Sequence, residues 1–208
     1  VGLFGAVAVV WGGFQALAAP RLKLLVAYST VAQLGYLFLA FPALAAASGR
    51  LVHEGVLYMA LAHALAKGGI FLAAGTVLWA AGTDRMADLG GVLRRLPVTA
   101  AALAIAGVSL IGMPPTGGFA GKWALLGGMA AQGRWAEVGV LLAGSLLTAG
   151  YIFRVLVQVF HNEAPARELE RRPGVAMNSA ALLLALAALG MGFAAPLLEP
   201  LVLTEVGP

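Results

Sequence analysis

The 208-residue sequence contains no cysteine, so it can form no disulfide, thiolate nucleophile or cysteine-held metal site, and its redox compartment leaves no mark on it. Charge is nearly as scarce. Acidic and basic residues make up 11% of the chain, against about 25% in a soluble domain, while 61% of it is apolar. A chain this short still exposes much of its surface when folded, so the surplus apolar area has to face lipid. These two shortages exclude a soluble enzyme, a secreted disulfide scaffold and a nucleic-acid-binding module. The chain opens on Val1 inside an apolar run, with no methionine and no basic stretch ahead of it. The expectation is the later part of a longer protein rather than a signal peptide.

What is present is apolar sequence in lengths suited to a bilayer, where a helical span needs about 20 residues. The candidates are 1–19, 24–41, 54–81, 97–131, 136–160 and 175–198. Ala19-Pro20, Phe41-Pro42 with Ser48-Gly49-Arg50, and Glu199-Pro200 punctuate them, and Pro97 is well placed to open a helix. The stretch 97–131 is interrupted by Gly112-Met113-Pro114-Pro115-Thr116-Gly117-Gly118. Pro114 and Pro115 remove two backbone donors, and Gly112, Gly117 and Gly118 loosen the chain, so a continuous helix is not expected there. If 97–131 crosses once, Arg21, Lys23, Arg85, Arg94, Arg95, Arg167, Arg171 and Arg172 share one side and only Arg50 and Arg134 face the other. Counting two crossings erases that bias. The formal charge of +4 is then an orientation signal, with the basic side cytoplasmic. The expected fold is an all-α polytopic membrane protein, one transmembrane helical domain over 1–208 with about six transmembrane helices, the fourth broken at Gly112–Gly118.

Two charges lie where they are costly. An ionisable side chain at mid-bilayer costs about 2.5–3.5 kcal/mol on insertion scales and marks a hydrated cavity or a partner. Lys67 sits about 13 residues into the third candidate span, near mid-depth at about 1.5 Å per residue. His63, one turn earlier on the same face, makes a plausible proton donor–acceptor pair with it. Gly68 and Gly69 beside them allow close approach by another helix or water. Lys122 follows the helix break, where unwound backbone is tolerated if it lines a cavity or is buried in protein. The same residues also have plain structural readings: Lys67 as a counter-ion, His63 as an interhelical hydrogen-bonder, Lys122 as an interfacial lysine. Ser29 and Gln33 share a face with Tyr36 one turn on; polar contacts of this kind hold helices together at about 0.6 kcal/mol each. Lys23, at a span edge, reads as a snorkelling anchor. His53, Glu54 and His161 lie at span ends and are assigned no role, and Trp79 and Trp135 read as belt residues.

The run Leu22-Lys23-Leu24-Leu25-Val26-Ala27-Tyr28-Ser29-Thr30-Val31-Ala32-Gln33-Leu34-Gly35-Tyr36 resembles a "K-R-x-L-A-Y-S-T-x-x-Q-x-G-Y" stretch of proton-translocating antiporter-like membrane subunits. Such subunits occur in respiratory complex I, in multisubunit sodium/proton antiporters and in membrane-bound hydrogenases. His63-Ala64-Leu65-Ala66-Lys67-Gly68-Gly69-Ile70-Phe71-Leu72-Ala73-Ala74-Gly75 resembles their "H-A-x-x-K-x-x-x-F-L-x-x-G" helix. Gly112-Met113-Pro114-Pro115-Thr116-Gly117-Gly118-Phe119-Ala120-Gly121-Lys122 resembles "G-x-P-P-x-x-G-F-x-G-K" at a broken helix. The three motifs occur in order over about residues 20–123.

The resemblance implies a role for each matching residue. Lys67 matches the central lysine of the second half-channel, His63 the histidine before it, Lys122 the ionisable residue near the exit, and Lys23 the lysine before the "A-Y-S" run. It implies proton translocation, or sodium/proton antiport, within a multisubunit complex such as an NADH:quinone oxidoreductase. The chain would be multi-pass in the cell inner (plasma) membrane, with other membrane subunits as partners and no cofactor of its own. Many members carry a second histidine where Met59 stands here, and a first half-channel built on a Glu–Lys pair; no mid-membrane carboxylate occurs in this chain. The acid partner of Lys67 is expected in a preceding segment or an adjacent subunit. A non-conducting scaffold of the same fold and an unrelated broken-helix secondary transporter are the alternatives. An intramembrane hydrolase using Ser29 with His63 lacks the Gly-x-Ser-x-Gly elbow.

Overall fold

The computed structural model describes residues 1–44, 49–160 and 169–203. The elements are α1 (Gly2–Ala18), α2 (Leu22–Leu44), α3 (Arg50–Ala81), a 3-10 turn (Met86–Asp88), α4 (Val92–Arg95), α5 (Pro97–Ile111), α6 (Gly117–Ala131), α7 (Trp135–Phe160) and α8 (Val175–Leu203). Among the described residues, helices in α2, α3, α7 and α8 are long and apolar enough to cross a membrane; α1 and α5 are shorter apolar helices. Their outward faces carry large apolar side chains such as Phe4, Phe14, Phe38, Leu146, Phe153 and Phe193. The interior is lined instead with alanine, including Ala62, Ala66, Ala73, Ala74, Ala185 and Ala188. Small residues inside and large ones outside let helix backbones approach closely, the pattern expected where the surrounding medium is as apolar as the side chains.

Contacts at the helix ends fix the direction of each element. At the basic end, the Leu22 amide donates to the Asp84 carbonyl at 2.7 Å and the Met86 amide to the Pro20 carbonyl at 2.9 Å. Arg154 of α7 donates to the Leu17 and Ala19 carbonyls at the end of α1, and Glu170 N–H, just before α8, reaches the Ala80 carbonyl at 2.8 Å. At the opposite end, Gln132 and Arg134 donate to the Ala43 and Pro42 carbonyls at 3.0 and 2.6 Å. α5 therefore starts at the basic end, α6 finishes at the other, and the break between them lies beside Ala62 of α3 and Ala188 of α8.

Several boundaries differ from the sequence expectation. α2 does not stop at Phe41-Pro42 but continues to Leu44. A proline in the last turn removes only one amide bond, its fixed φ is itself helical, and here its carbonyl is taken by Arg134. α8 likewise runs through Pro196 and Pro200 and ends at Leu203, beyond the expected close before Glu199. The connection 82–96, which carries Arg85, Arg94 and Arg95, is also a packed plug: Leu89, Val92 and Leu93 are wholly buried. α3 also starts four residues early, at Arg50, which pairs with Glu54 at 3.3 Å. Ser48, His161 and Arg167 lie outside the described residues.

Candidate functional site

The helical period sets the α2 contribution. Val26, Ser29, Gln33 and Tyr36 recur at steps of three and four, so they form one stripe, and Ser29, Gln33 and Tyr36 are buried to within 1% of full enclosure. Lys67 of α3 is 5% exposed and reaches across to this stripe. Its ammonium donates to the Val26 carbonyl at 3.0 Å and to the Ser29 hydroxyl, which in turn donates to the Val26 carbonyl at 2.8 Å. A buried ammonium with two acceptors is far less costly than a bare one.

Gln33 carries the stripe to the broken helix. Its amide nitrogen lies 3.2 Å from the Leu110 carbonyl, 3.3 Å from the Thr148 hydroxyl and 3.5 Å from the Tyr151 hydroxyl. Tyr151 also donates to Thr148 at 3.3 Å. Lys122, 4% exposed, donates to the Leu110 and Ile111 carbonyls at 2.9 Å each. Those are carbonyls of the final turn of α5, left without amide partners by the break, at the negative end of the helix dipole. Lys122 also stands 5.0 Å from the centre of the Tyr36 ring, a cation–π distance. One backbone group, the Leu110 carbonyl, thus accepts from both Gln33 and Lys122. The polar row runs Lys67, Ser29, Gln33, Leu110 carbonyl, Lys122, flanked by Tyr36, Thr148 and Tyr151.

The break is built by local chemistry. α5 ends on Gly112, whose φ of +85° is a left-handed cap that disfavours side-chain-bearing residues. Pro114-Pro115 follows, joined by a cis peptide bond. Thr116 then caps α6, its hydroxyl accepting the Phe119 amide at 3.2 Å and donating to the Met113 carbonyl at 2.7 Å. Gly118 touches the end of α5 so closely that a Cβ there would fall 1.8 Å from the Ser109 carbonyl oxygen. Gly118→Ala is therefore expected to destabilise the protein by about 1–3 kcal/mol or more. Gly127→Ala on the same helix, with nothing within 4 Å, is expected to be neutral. Thermal unfolding of the full-length protein in detergent checks both, and equal melting temperatures would contradict this reading of the break.

The remaining sequence candidates fall less evenly. His63 is partly buried, one turn from Lys67 on the same helix. Its Nδ1 is buried without a hydrogen-bond partner among the described residues. Lys23 stands apart from the row, exposed in the first turn of α2, where its backbone amide contacts Asp84 at 3.3 Å. Met59 packs against Gly121 of α6. The carboxylates of Glu54, Asp84, Asp88, Glu137 and Glu170 all belong to helix ends or connections, so no described acid touches the row.

Sequence reading missed Thr148, Tyr151 and Arg154. The signal was there for the first two, because Thr148 and Tyr151 lie one turn apart on a face of the fifth candidate span. Arg154 clamps the α1–α2 turn and is the one arginine left out of the sidedness count; it lies at the basic end with the majority.

The chain is similar to known proteins. A family model described as NADH:quinone oxidoreductase/Mrp antiporter, transmembrane, matches residues 1–149. The chain is 40% identical over 165 residues to NADH-quinone oxidoreductase subunit N of Desulforudis audaxviator, covering 79% of this chain and 32% of that protein. It is 28% identical over 190 residues to a Na(+)/H(+) antiporter subunit from Bacillus subtilis, covering 90% of this chain and 38% of the other. A chain of respiratory complex I from Thermus thermophilus with bound NADH superposes with a TM-score of 0.78 at 27% identity, over 99% of this chain and 44% of that one. The chain spans about a third of the length of these curated relatives.

Proposed function

Because the chain belongs to the NADH:quinone oxidoreductase/Mrp antiporter transmembrane family, we propose that it forms one half-channel of a proton-translocating subunit. The observation that carries this reading is the shared Leu110 carbonyl, which joins Lys122 to Gln33 on the same α2 stripe that Lys67 reaches at Ser29. α5 and α6 act as one broken crossing, giving six spans with the basic end in the cytoplasm of a cell whose plasma membrane holds the complex. The partners are the membrane subunits of that multisubunit complex.

Lys67 holds a proton while an acid outside this chain stands near it, and releases the proton when that acid moves away. The Ser29, Tyr151 and Thr148 hydroxyls, with water, carry it along the row. Lys122 receives it and passes it on at the opened backbone of the break. Gln33 moves no proton itself; its amide orients the hydroxyls and holds α2 against α5. A charged group with no carboxylate beside it is costly at this depth, so the row holds its second proton only under the influence of the outside acid. That gives the unit two states to alternate between.

Gln33→Leu keeps the volume and both lysines but removes the link. In vesicles holding the full-length protein in its complex, proton translocation is expected to fall about tenfold or more, with assembly retained. Translocation at the wild-type rate would overturn the row as the path.

A further inference from the structure

The basic end carries a second site, separate from the buried row. Between the amino ends of α5 and α8 lies a cleft of about 690 Å³ lined by Arg95, Arg172, Asn178, Leu96, Val98 and Leu169. Both arginines are exposed, and neither forms an ion pair with a described acid. The nearest acid in sequence, Glu170, has its carboxylate against Gly82 instead. Asn178 accepts the Thr99 hydroxyl on its carbonyl oxygen at 3.0 Å, which turns its two amide protons into available donors. α5 begins on Pro97, so its first turn adds the positive end of a helix dipole. The floor of the cleft is apolar, and Val98 and Val175 are exposed beside it at the level where α5 and α8 begin.

We propose that this cleft holds the headgroup of an anionic phospholipid of the leaflet at the basic end. Arg95 and Arg172 grip the phosphate, an anion that guanidinium forks match in geometry. Asn178 donates to a phosphate or glycerol oxygen, and Leu96, Val98 and Leu169 cover the first methylenes of the acyl chains. A soluble anion would gain from the arginines but not from the apolar floor. An acidic protein segment would need its own carboxylates to fit between two helix ends already closed at the bottom by leucine. Basic pockets between membrane helices on the cytoplasmic side are where such headgroups bind.

The test uses the full-length protein, stripped of lipid in mild detergent, with retained phosphatidylglycerol counted by native mass spectrometry against phosphatidylcholine of the same chains. The wild type is expected to retain phosphatidylglycerol in clear preference. Arg95→Gln with Arg172→Gln is expected to reduce that preference about tenfold. Arg50→Gln at the opposite end is expected to leave it intact. Melting temperatures check that each variant is folded, as substitution of exposed arginines should allow. An unchanged preference in the double variant overturns the site. Displacement of the lipid by millimolar inorganic phosphate shows a free-anion site and overturns the lipid assignment. Crosslinking of position 95 to a neighbouring subunit, with no lipid retained in the intact complex, overturns it as well.

Discussion

Lys67→Met in the full-length protein abolishes proton translocation, by about a hundredfold or more, and leaves the fold as stable as before or more so. Both halves of that result follow from its contacts. Among the described residues the ammonium is the one cation bonded to Ser29 and Val26, so without it the row loses the group at that end that can hold a proton. The groups left behind are not orphaned: the Ser29 hydroxyl keeps its bond to the Val26 carbonyl, which also accepts from Thr30 at 3.0 Å. Methionine fills nearly the same volume, and removing a buried charge that lacks a nearby carboxylate eliminates its desolvation cost. Proton movement across reconstituted vesicles and thermal unfolding of the same preparation measure the two effects. Normal pumping would remove Lys67 from the path; a large fall in stability would make it a structural counter-ion.

Lys122→Met stops translocation to a similar extent but also weakens the fold. The difference is that Lys122 supplies the partners for two carbonyls at the end of α5. One of them, Leu110, keeps Gln33. Ile111 loses the ammonium that met its part-buried carbonyl, and leaving such an acceptor unpaired costs about 1 kcal/mol, the low end of the range for buried groups. The expected phenotype is therefore loss of transport together with a lower melting temperature, most of it regained if a polar side chain at 122 can still cap α5. Lys122→Gln provides that control: it should recover stability without recovering proton transfer. If Lys122→Gln pumped normally, the residue would be a cap and nothing more.

The row is legible in the sequence only in part. Ser29, Gln33 and Tyr36 on one stripe, and His63 one turn from Lys67, are relations within a single helix, and the helical period writes them into the sequence. The break was equally readable, since Pro114, Pro115 and the flanking glycines act on their own backbone. What crosses between helices was not. The group joining the two halves of the row is the Leu110 carbonyl, and a backbone oxygen has no sequence signature. Thr148 and Tyr151 gain their meaning only when α7 is laid against α2. Lys23 shows the opposite limit: its place in a motif marked it for the row, and the first turn of α2 leaves it exposed at the basic end. The plug formed by Leu89, Val92 and Leu93 was obscured by charged neighbours in the same connection, which describe its outer surface alone.

If protons move along this row and need Lys67, the initial rate of acidification in sodium-free vesicles holding the full-length protein in its complex shows it most directly, wild type beside Lys67→Met. A pH gradient is expected with the wild type and none with the variant. Equal gradients in the two, or no gradient in the wild type until sodium is added, would contradict it.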